Sequence, residues 1–384
     1  MLAERLTMIP GPTPVHPRIL AALARATTSH LDPVLVAEFR SALDGFRALG
    51  RSAAGQPFIV AGGGTLAMEM ALVNVAAPGE RVLVVSQGYF GDRWGDLAAS
   101  FGIEAELLRA PWGEAVPPDQ VARALAGGSY RAVTITHVDT STGTGAPVAE
   151  YCRLLAGRDE LVILDGVCAT GGVDEPCDAW GVDVLLTAPQ KAIGAPPGVA
   201  MCLFSPRAMA RRRSLARVSA YYADVLRWLP IMEDPGRYYS TPCVNEIFAL
   251  AEALRIVHEE GLEARFARHT RIGAACRAGL EALGLAAFTA PDCRAATLSV
   301  MRLPEGVDDA AFRREAYRRG VTLAGGLGPV AGKAFRVGHM GNIGVAEIAA
   351  TLETIEASLA TVGANVPRGA ALAAAAPLLA GEGA

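Results

Sequence analysis

Asp165 and Lys191 are the residues of this chain whose types and setting are best suited to chemistry. They lie in the stretch 161–198, LVILDGVCATGGVDEPCDAWGVDVLLTAPQKAIGAPPG. Two mainly apolar runs within it, Leu161–Leu164 and Val182–Leu186, the second interrupted by Asp183, are bounded by turn residues, which predicts buried strands. The first run ends on Asp165 and the second leads into Gln190-Lys191. Open α/β sheets bind ligands at the carboxyl ends of their strands. A buried carboxylate needs a cationic partner, and a lysine that gives up its proton readily forms Schiff bases. An acid opposite a ring nitrogen together with such a lysine is the pair that pyridoxal phosphate (PLP) chemistry requires. A structural Asp–Lys ion pair is the competing reading of the same two residues.

Other residues fit around this pair. The segment VAGGGTLAMEMALVN places Gly63, Gly64 and Thr65 between a strand and a helix, where a glycine backbone approaches an anion and the helix N-terminus offers free N–H groups. It lacks G-x-G-x-x-G spacing, which argues against a dinucleotide fold, and a plain tight turn explains it as well. SQGYFGDRW sets Tyr89 and Phe90 on a predicted loop, as stacking partners for a flat ring or as core aromatics. HVDTSTGTGAP carries Thr140, Ser141 and Thr142 in a glycine turn. GRYYSTPCVNE offers aromatic and hydroxyl groups whose placement the sequence leaves open. Arg336 lies inside an apolar strand between glycine loops, AGGLGPVAGKAFRVGHMGN, and a guanidinium there suits a planar carboxylate. His339 beside it reads as a supporting or structural residue.

These side chains need an alternating α/β scaffold to position them. Strands are predicted at Phe58–Val60, Arg81–Val85, Ala132–Thr136, Leu161–Leu164, Val182–Leu186 and Val199–Phe204. Helices are predicted between them at Leu66–Val75, Asp92–Phe101, Pro118–Ala126 and Val148–Ala156. From about Asn245 a long helical stretch breaks at Gly261 and stops at Gly284. It is followed by a strand (Thr297–Arg302), a helix (Asp308–Arg319), a strand (Lys333–Val337) and a closing helix (Val345–Val362). The expected organisation is an entrance segment over 1–17, a large domain over 18–260 and a small α+β domain over 261–384. The alanine-rich tail is expected to form a surface helix or a frayed end.

Bulk properties exclude other classes. The 384 residues are 51% hydrophobic and 19% charged with net charge −4, a globular composition without the basic footprint of a nucleic-acid or membrane-surface protein. The one basic cluster, Arg211-Arg212-Arg213, reads as a solvated helix face. Seven scattered cysteines form no C-x-x-C pair, so neither a zinc site nor a disulfide framework is expected, and a reducing cytoplasmic setting is. No long apolar span or signal peptide is evident.

Taken together, the motifs resemble the class V, fold-type I, PLP-dependent aminotransferases of the alanine–glyoxylate and serine–glyoxylate group. The strongest matches are LDGVCATGG, WGVDVLLTAPQKAIGAPPG, RYYSTP and GGLGPVAGKAFRVGHMGN, and the likeness runs from MIPGPTPVHPRIL to the closing helix. It implies a large domain built on a mainly parallel seven-stranded sheet between helices, with a smaller C-terminal α+β domain. It implies Lys191 as the Schiff-base lysine and proton carrier, Asp165 on the pyridine N–H, Val167 and Phe90 on the two ring faces, and Thr140 on the phenolic oxygen. Gly63, Gly64, Thr65 and Gln190 would surround the phosphate, joined by Tyr238 and Thr241 of a partner subunit in a homodimer with shared active sites. Arg336 would hold the substrate carboxylate, with Pro10 and Gly11 at the entrance. The implied reaction moves an amino group from alanine or serine to glyoxylate through pyridoxamine phosphate. Related branches take ureidoglycine, pyridoxamine or aminoethylphosphonate, and a desulfurase or lyase would need a cysteine on a mobile loop. Ala188-Pro189 before Gln190, and Gly63 and Thr65 where the animal alanine enzyme has serine and histidine, are departures that bear on the donor.

Overall fold

A computed structural model describes residues 5–380 of the chain. Seven strands form the main sheet: β1 (Gln56–Ala61), β2 (Arg81–Ser86), β3 (Glu104–Arg109), β4 (Ala132–Thr136), β5 (Leu161–Asp165), β6 (Val184–Thr187) and β7 (Val199–Phe204). Their order is β1-β7-β6-β5-β4-β2-β3, and β7 alone runs against the rest. The inner strands are continuous apolar runs because helices cover both faces: β4, β5 and β6 are buried at every position. Strand β3, at the edge, is only half-buried and reads EAELLR, which is why periodicity misses it. The chain runs out to β3 and returns to β4 beside β2, and the reversal opens a crevice at the carboxyl ends of these strands.

The helix Gly64–Val73 follows β1 and packs on β6 and β7; its residues from Ala67 to Val73 are almost all buried, as expected for a helix apolar on every side. The helix Tyr89–Ser100 follows β2 and begins earlier than its sequence suggests. Tyr89 and Phe90, expected on a loop, form its first turn. The signal is not local: the buried Asp139 carboxylate accepts the N–H groups of Phe90 and Gly91, both at 3.0 Å.

Beyond the helices Val244–Glu260 and Leu262–Ala282 lies a three-stranded antiparallel sheet of β8 (Leu298–Arg302), β9 (Ala324–Gly325) and β10 (Ala334–Gly338), ordered β8-β10-β9. Its core joins Ile272, Leu280, Phe312, Phe335 and Ile355 with Met8 from the N-terminal segment. A smaller cluster packs Val138, Cys168 and Ala192 against Leu298, Val300 and Met340, so the rear wall of the crevice is also the seam to this second sheet.

One expectation is met here and one is corrected. The tail is a surface helix, Ala370–Leu379: it docks on Leu262–Ala282 with Ala371, Ala375 and Leu379 buried, while Ala373, Ala376, Pro377 and Leu378 are exposed. Alanine and glycine let the two backbones approach closely, and a Cβ on Gly279 would sit 2.8 Å from the Ala371 carbonyl. The arginine run, by contrast, is not a solvated face. Arg212 is buried with both Nε and Nη2 on the Asp224 carboxylate at 2.8 Å, and Arg211 bonds Val75 O and Glu80. No helix of the described residues is long and apolar enough to cross a membrane.

Candidate active site

Lys191 stands on a loop whose backbone is held from three distant parts of the chain. Thr13 donates its N–H to Gln190 O at 3.1 Å and its hydroxyl to Lys191 O at 2.9 Å. Arg265, buried in the helix Leu262–Ala282, donates Nη2 to Ala192 O at 2.6 Å and Nε to Gly171 O at 2.9 Å. Asn342 donates to Gly194 O at 3.0 Å. The side chain reaches the N-terminal segment, where Nζ bonds Pro10 O. Gly11, at φ +99°, has no space for a Cβ, which would lie 2.5 Å from Lys191 Cδ. Pro10 and Gly11 therefore meet the lysine itself rather than only bordering an entrance.

Asp165 ends β5 opposite Thr136 of β4. It is not ion-paired with Lys191, which removes the structural-pair reading; Val167 N donates to its Oδ1 at 3.0 Å. Burial raises its pKa from the usual 3.8 to about 7, opposed by the Val167 bond and reinforced by the nearby Asp139 and Glu175 carboxylates. Trp94 Nε1 is buried without a hydrogen-bond partner and lies near enough to Asp165 to pull that pKa down without an aligned bond. Asp139 accepts from Ser141 N and Oγ, at 2.9 and 2.5 Å, in addition to its bonds at the helix start; burial still holds its pKa up. Glu175 is bonded to His137 Nδ1 and Thr170 Oγ1, both at 2.6 Å.

Lys191 and Asp165 share a cavity of about 240 Å³ with Gly64, Thr65, Phe90, Thr140, Val167 and Gln190. It also takes in Gly11, Arg93 and Cys168. Gly63 stands just outside as the extended residue before the helix Gly64–Val73. Arg336, on β10, is in the wall behind Thr140, donating Nη1 to Thr140 O at 3.2 Å and Nε to Gly325 O at 2.8 Å. Burial lowers its pKa, and Cys168 and Asp139 offset part of that. His339 is buried against Ser299 Oγ at 3.0 Å, a structural contact. Tyr238 and Thr241 are not brought into this cavity; both are exposed, with their hydroxyls 3.5 Å apart on the surface. A larger cleft of about 630 Å³ lies at the opposite ends of the strands, around Trp180 and Arg207, away from these groups.

Sequence reasoning passed over Arg93, Asp139, Glu175 and Arg265, and placed Thr13 only in a loop at the entrance, not on the backbone of Lys191. A single arginine in a helical pattern reads as solvated, and contacts between residues 13, 192 and 265 leave no periodic trace. An acid placed before a Ser/Thr turn was the one usable signal, since Asp139 forms an Asx-type bond to Ser141 N.

With this geometry in view, comparison with known proteins is decisive. The family model "Aminotransferase class-V" matches residues 21–336. The chain belongs to the class V aminotransferases. This aminotransferase is 34% identical to the L-aspartate–glyoxylate aminotransferase of Paracoccus denitrificans, over 98% of this chain and 96% of that one. It is 35% identical to alanine–glyoxylate aminotransferase 1 of Saccharomyces cerevisiae, over 87% and 91% of the two chains. The crystal structure of the ureidoglycine–glyoxylate aminotransferase of Bacillus subtilis superposes with a TM-score of 0.94 at 27% identity, covering 99% of each chain. The architecture is that of fold-type I PLP enzymes, and the cofactor of the family is PLP.

The residues present fit that cofactor. Asp165 is a buried carboxyl with no cation beside it among the described residues, and Gly64 leaves open the space where a Cβ would press on Val167. A ring with a protonatable nitrogen answers the first, and a flat ring carried on an anionic arm beside the helix start at Gly64 answers the second.

Proposed function

We propose that this class V aminotransferase moves the amino group of a small amino acid, alanine or serine, to glyoxylate, leaving glycine and a 2-oxo acid. The observation that carries the reading is the common cavity of Lys191 and Asp165, with Arg336 bonded behind it to the backbone of the lining residue Thr140. In this reading PLP supplies the electron sink. Asp165 holds the proton on the ring nitrogen, ionised once a cation is beside it. Lys191 Nζ would hold the cofactor covalently and would carry the proton taken from the donor's α-carbon. Phe90 and Val167 cover the ring faces, Thr140 bonds the phenolic oxygen, and Gly63, Gly64, Thr65 and Gln190 surround the phosphate. Arg336 turns its fork from backbone carbonyls to the substrate carboxylate. A homodimer would bring Tyr238 and Thr241 of each subunit, exposed in the single chain, to its neighbour's phosphate site.

Glyoxylate as acceptor is supported by the three relatives above, whose names share it while their donors differ. A dicarboxylic donor is the second reading, favoured by Arg93, a further cation in the cavity. A desulfurase reading is disfavoured because the cavity thiol, Cys168, is buried and its pKa is pushed up by that burial. The test is an absorbance titration of the PLP-loaded protein with alanine, serine and aspartate, each followed by glyoxylate. Bleaching by alanine or serine and recovery with glyoxylate is expected. Bleaching without recovery refutes the acceptor, and bleaching by aspartate alone refutes the small donor.

A further inference from the structure

Arg93 lies one turn beyond Phe90 on the helix Tyr89–Ser100, and it lines the cavity. Its guanidinium is stacked over the Phe90 ring, 4.9 Å from the centroid, and reaches the Tyr89 ring at 5.3 Å. Other arginines near this edge of the sheet are paired with acids, Arg81 with Glu106 and Arg109 with Asp92. Arg93 meets no carboxylate among the described residues; its one hydrogen bond is a long contact of 3.5 Å from Nη1 to Thr65 Oγ1. Thr65 stands in the first turn of the helix Gly64–Val73, where N–H groups are free and the helix dipole is positive. Gln190, whose amide Nε2 is a donor, lines the same cavity. A stacked, unpaired cation beside a helix start leaves a place for an anion of more than one charge.

We propose that Arg93 is the charge partner of the phosphate of PLP, closing the phosphate site from the Phe90 side. The proposal rests on reading the cavity as the cofactor site. A phosphate monoester carries about −1.5 to −2 charge at neutral pH, and Thr65, Gln190 and the helix amides supply no full positive charge to meet it. Arg93 does, and its stacking on Phe90 couples the ring-covering face to the phosphate grip. The location favours phosphate over the far carboxylate of a donor, because Arg93 is anchored at Thr65 and not on the Arg336–Thr140 side.

The test compares Arg93→Gln and Arg93→Lys with the wild type, each stripped of cofactor. Binding of PLP and of pyridoxal, which has no phosphate, is read from the Schiff-base absorbance, and inorganic phosphate is titrated in a thermal melt. Arg93 is partly exposed, so neither variant threatens the fold. Loss of one charge-assisted contact weakens PLP binding about tenfold or more in Arg93→Gln. Pyridoxal binding stays within about twofold, stabilisation by inorganic phosphate is lost, and Arg93→Lys recovers most of both. Equal weakening of PLP and pyridoxal overturns the proposal, since it leaves Arg93 only as packing on Phe90. Unchanged PLP affinity with a raised KM for aspartate also overturns it and gives Arg93 to a dicarboxylic donor. A wild-type protein that forms a Schiff base with neither aldehyde overturns the cofactor-site reading itself.

Discussion

Replacing Asp165 by asparagine should stabilise the cofactor-free protein and disable the enzyme, and the two effects have one origin. Burial raises the Asp165 pKa from 3.8 to about 7. Between those values the folded chain holds a proton that the unfolded chain has released, so stability falls as pH rises and levels off above pH 7. At about 1.36 kcal/mol per pKa unit, the gap corresponds to ~4 kcal/mol lost by pH 8. Asparagine keeps the acceptor for Val167 N without the charge. Cofactor-free Asp165→Asn should therefore melt higher than wild type at pH 8, by the equivalent of about 2–4 kcal/mol, and at nearly the same temperature at pH 4.5. With PLP bound the order reverses, because a ring N–H cation holds the carboxylate ionised only in the wild type. Turnover should fall by roughly a thousandfold, about 4 kcal/mol of electrostatic support removed. The assays are scanning calorimetry at the two pH values and single-turnover absorbance kinetics. A melting difference independent of pH, or a variant within about tenfold of wild-type turnover, would refute the reasoning.

Three further outcomes are expected. Lys191→Ala should bind PLP without the Schiff-base absorbance and lose transamination by several orders of magnitude; near-normal turnover removes the lysine's assigned role. Arg336→Ala should lower kcat/KM for both amino donor and glyoxylate, by about 2–5 kcal/mol for a stranded charge pair, and unchanged values for both exclude its carboxylate role. Gly11→Ala puts a Cβ 2.5 Å from Lys191 Cδ at a backbone φ of +99°. It should cost about 1–3 kcal/mol of stability and slow Schiff-base formation, as a thermal melt and a stopped-flow PLP trace would show.

What the sequence made legible follows from where each constraint lies along the chain. Asp165 terminates a run buried at every position, so its strand and its place at the strand's carboxyl end were readable from one short segment. Phe90 was singled out as a candidate stacking partner and does line the cavity, but it was expected on a loop, because the cap that makes it helical is supplied by Asp139 across the sheet. Strand β3 was missed because an edge strand need not be apolar. Arg212 was misread because its partner Asp224 lies beyond a turn that the charge pattern does not announce. The tail is the surface helix expected, but its docking face was not legible, because an alanine-rich helix looks featureless until Gly279 offers it a close approach. Tyr238 and Thr241 follow from resemblance alone and remain on the surface of the single chain.

The two central residues are therefore positioned by different physics. Asp165 is fixed by the sheet, through strand pairing with Thr136 and Leu186 and a local bond from Val167. Lys191 lies past the end of its strand, and hydrogen bonds to its loop come from Thr13, Arg265 and Asn342, which join only when the N-terminal segment and the second sheet have docked. The Arg265 clamp is costly: burial lowers that guanidinium's pKa to about 10, and a buried cation with an apolar alternative is poor evidence for stability alone. Glu260 meets the Arg265 Nη1 at 2.6 Å and offsets part of that cost, and the guanidinium's other hydrogen bonds go to the carbonyls of Gly171 and Ala192, in the loops that follow Asp165 and Lys191. One side chain of the helix Leu262–Ala282 thus bridges the loops that follow the acid and the lysine. The distance between those two groups is set by that docking as much as by the sheet, so a displacement of the helix Leu262–Ala282 would move the lysine relative to the acid.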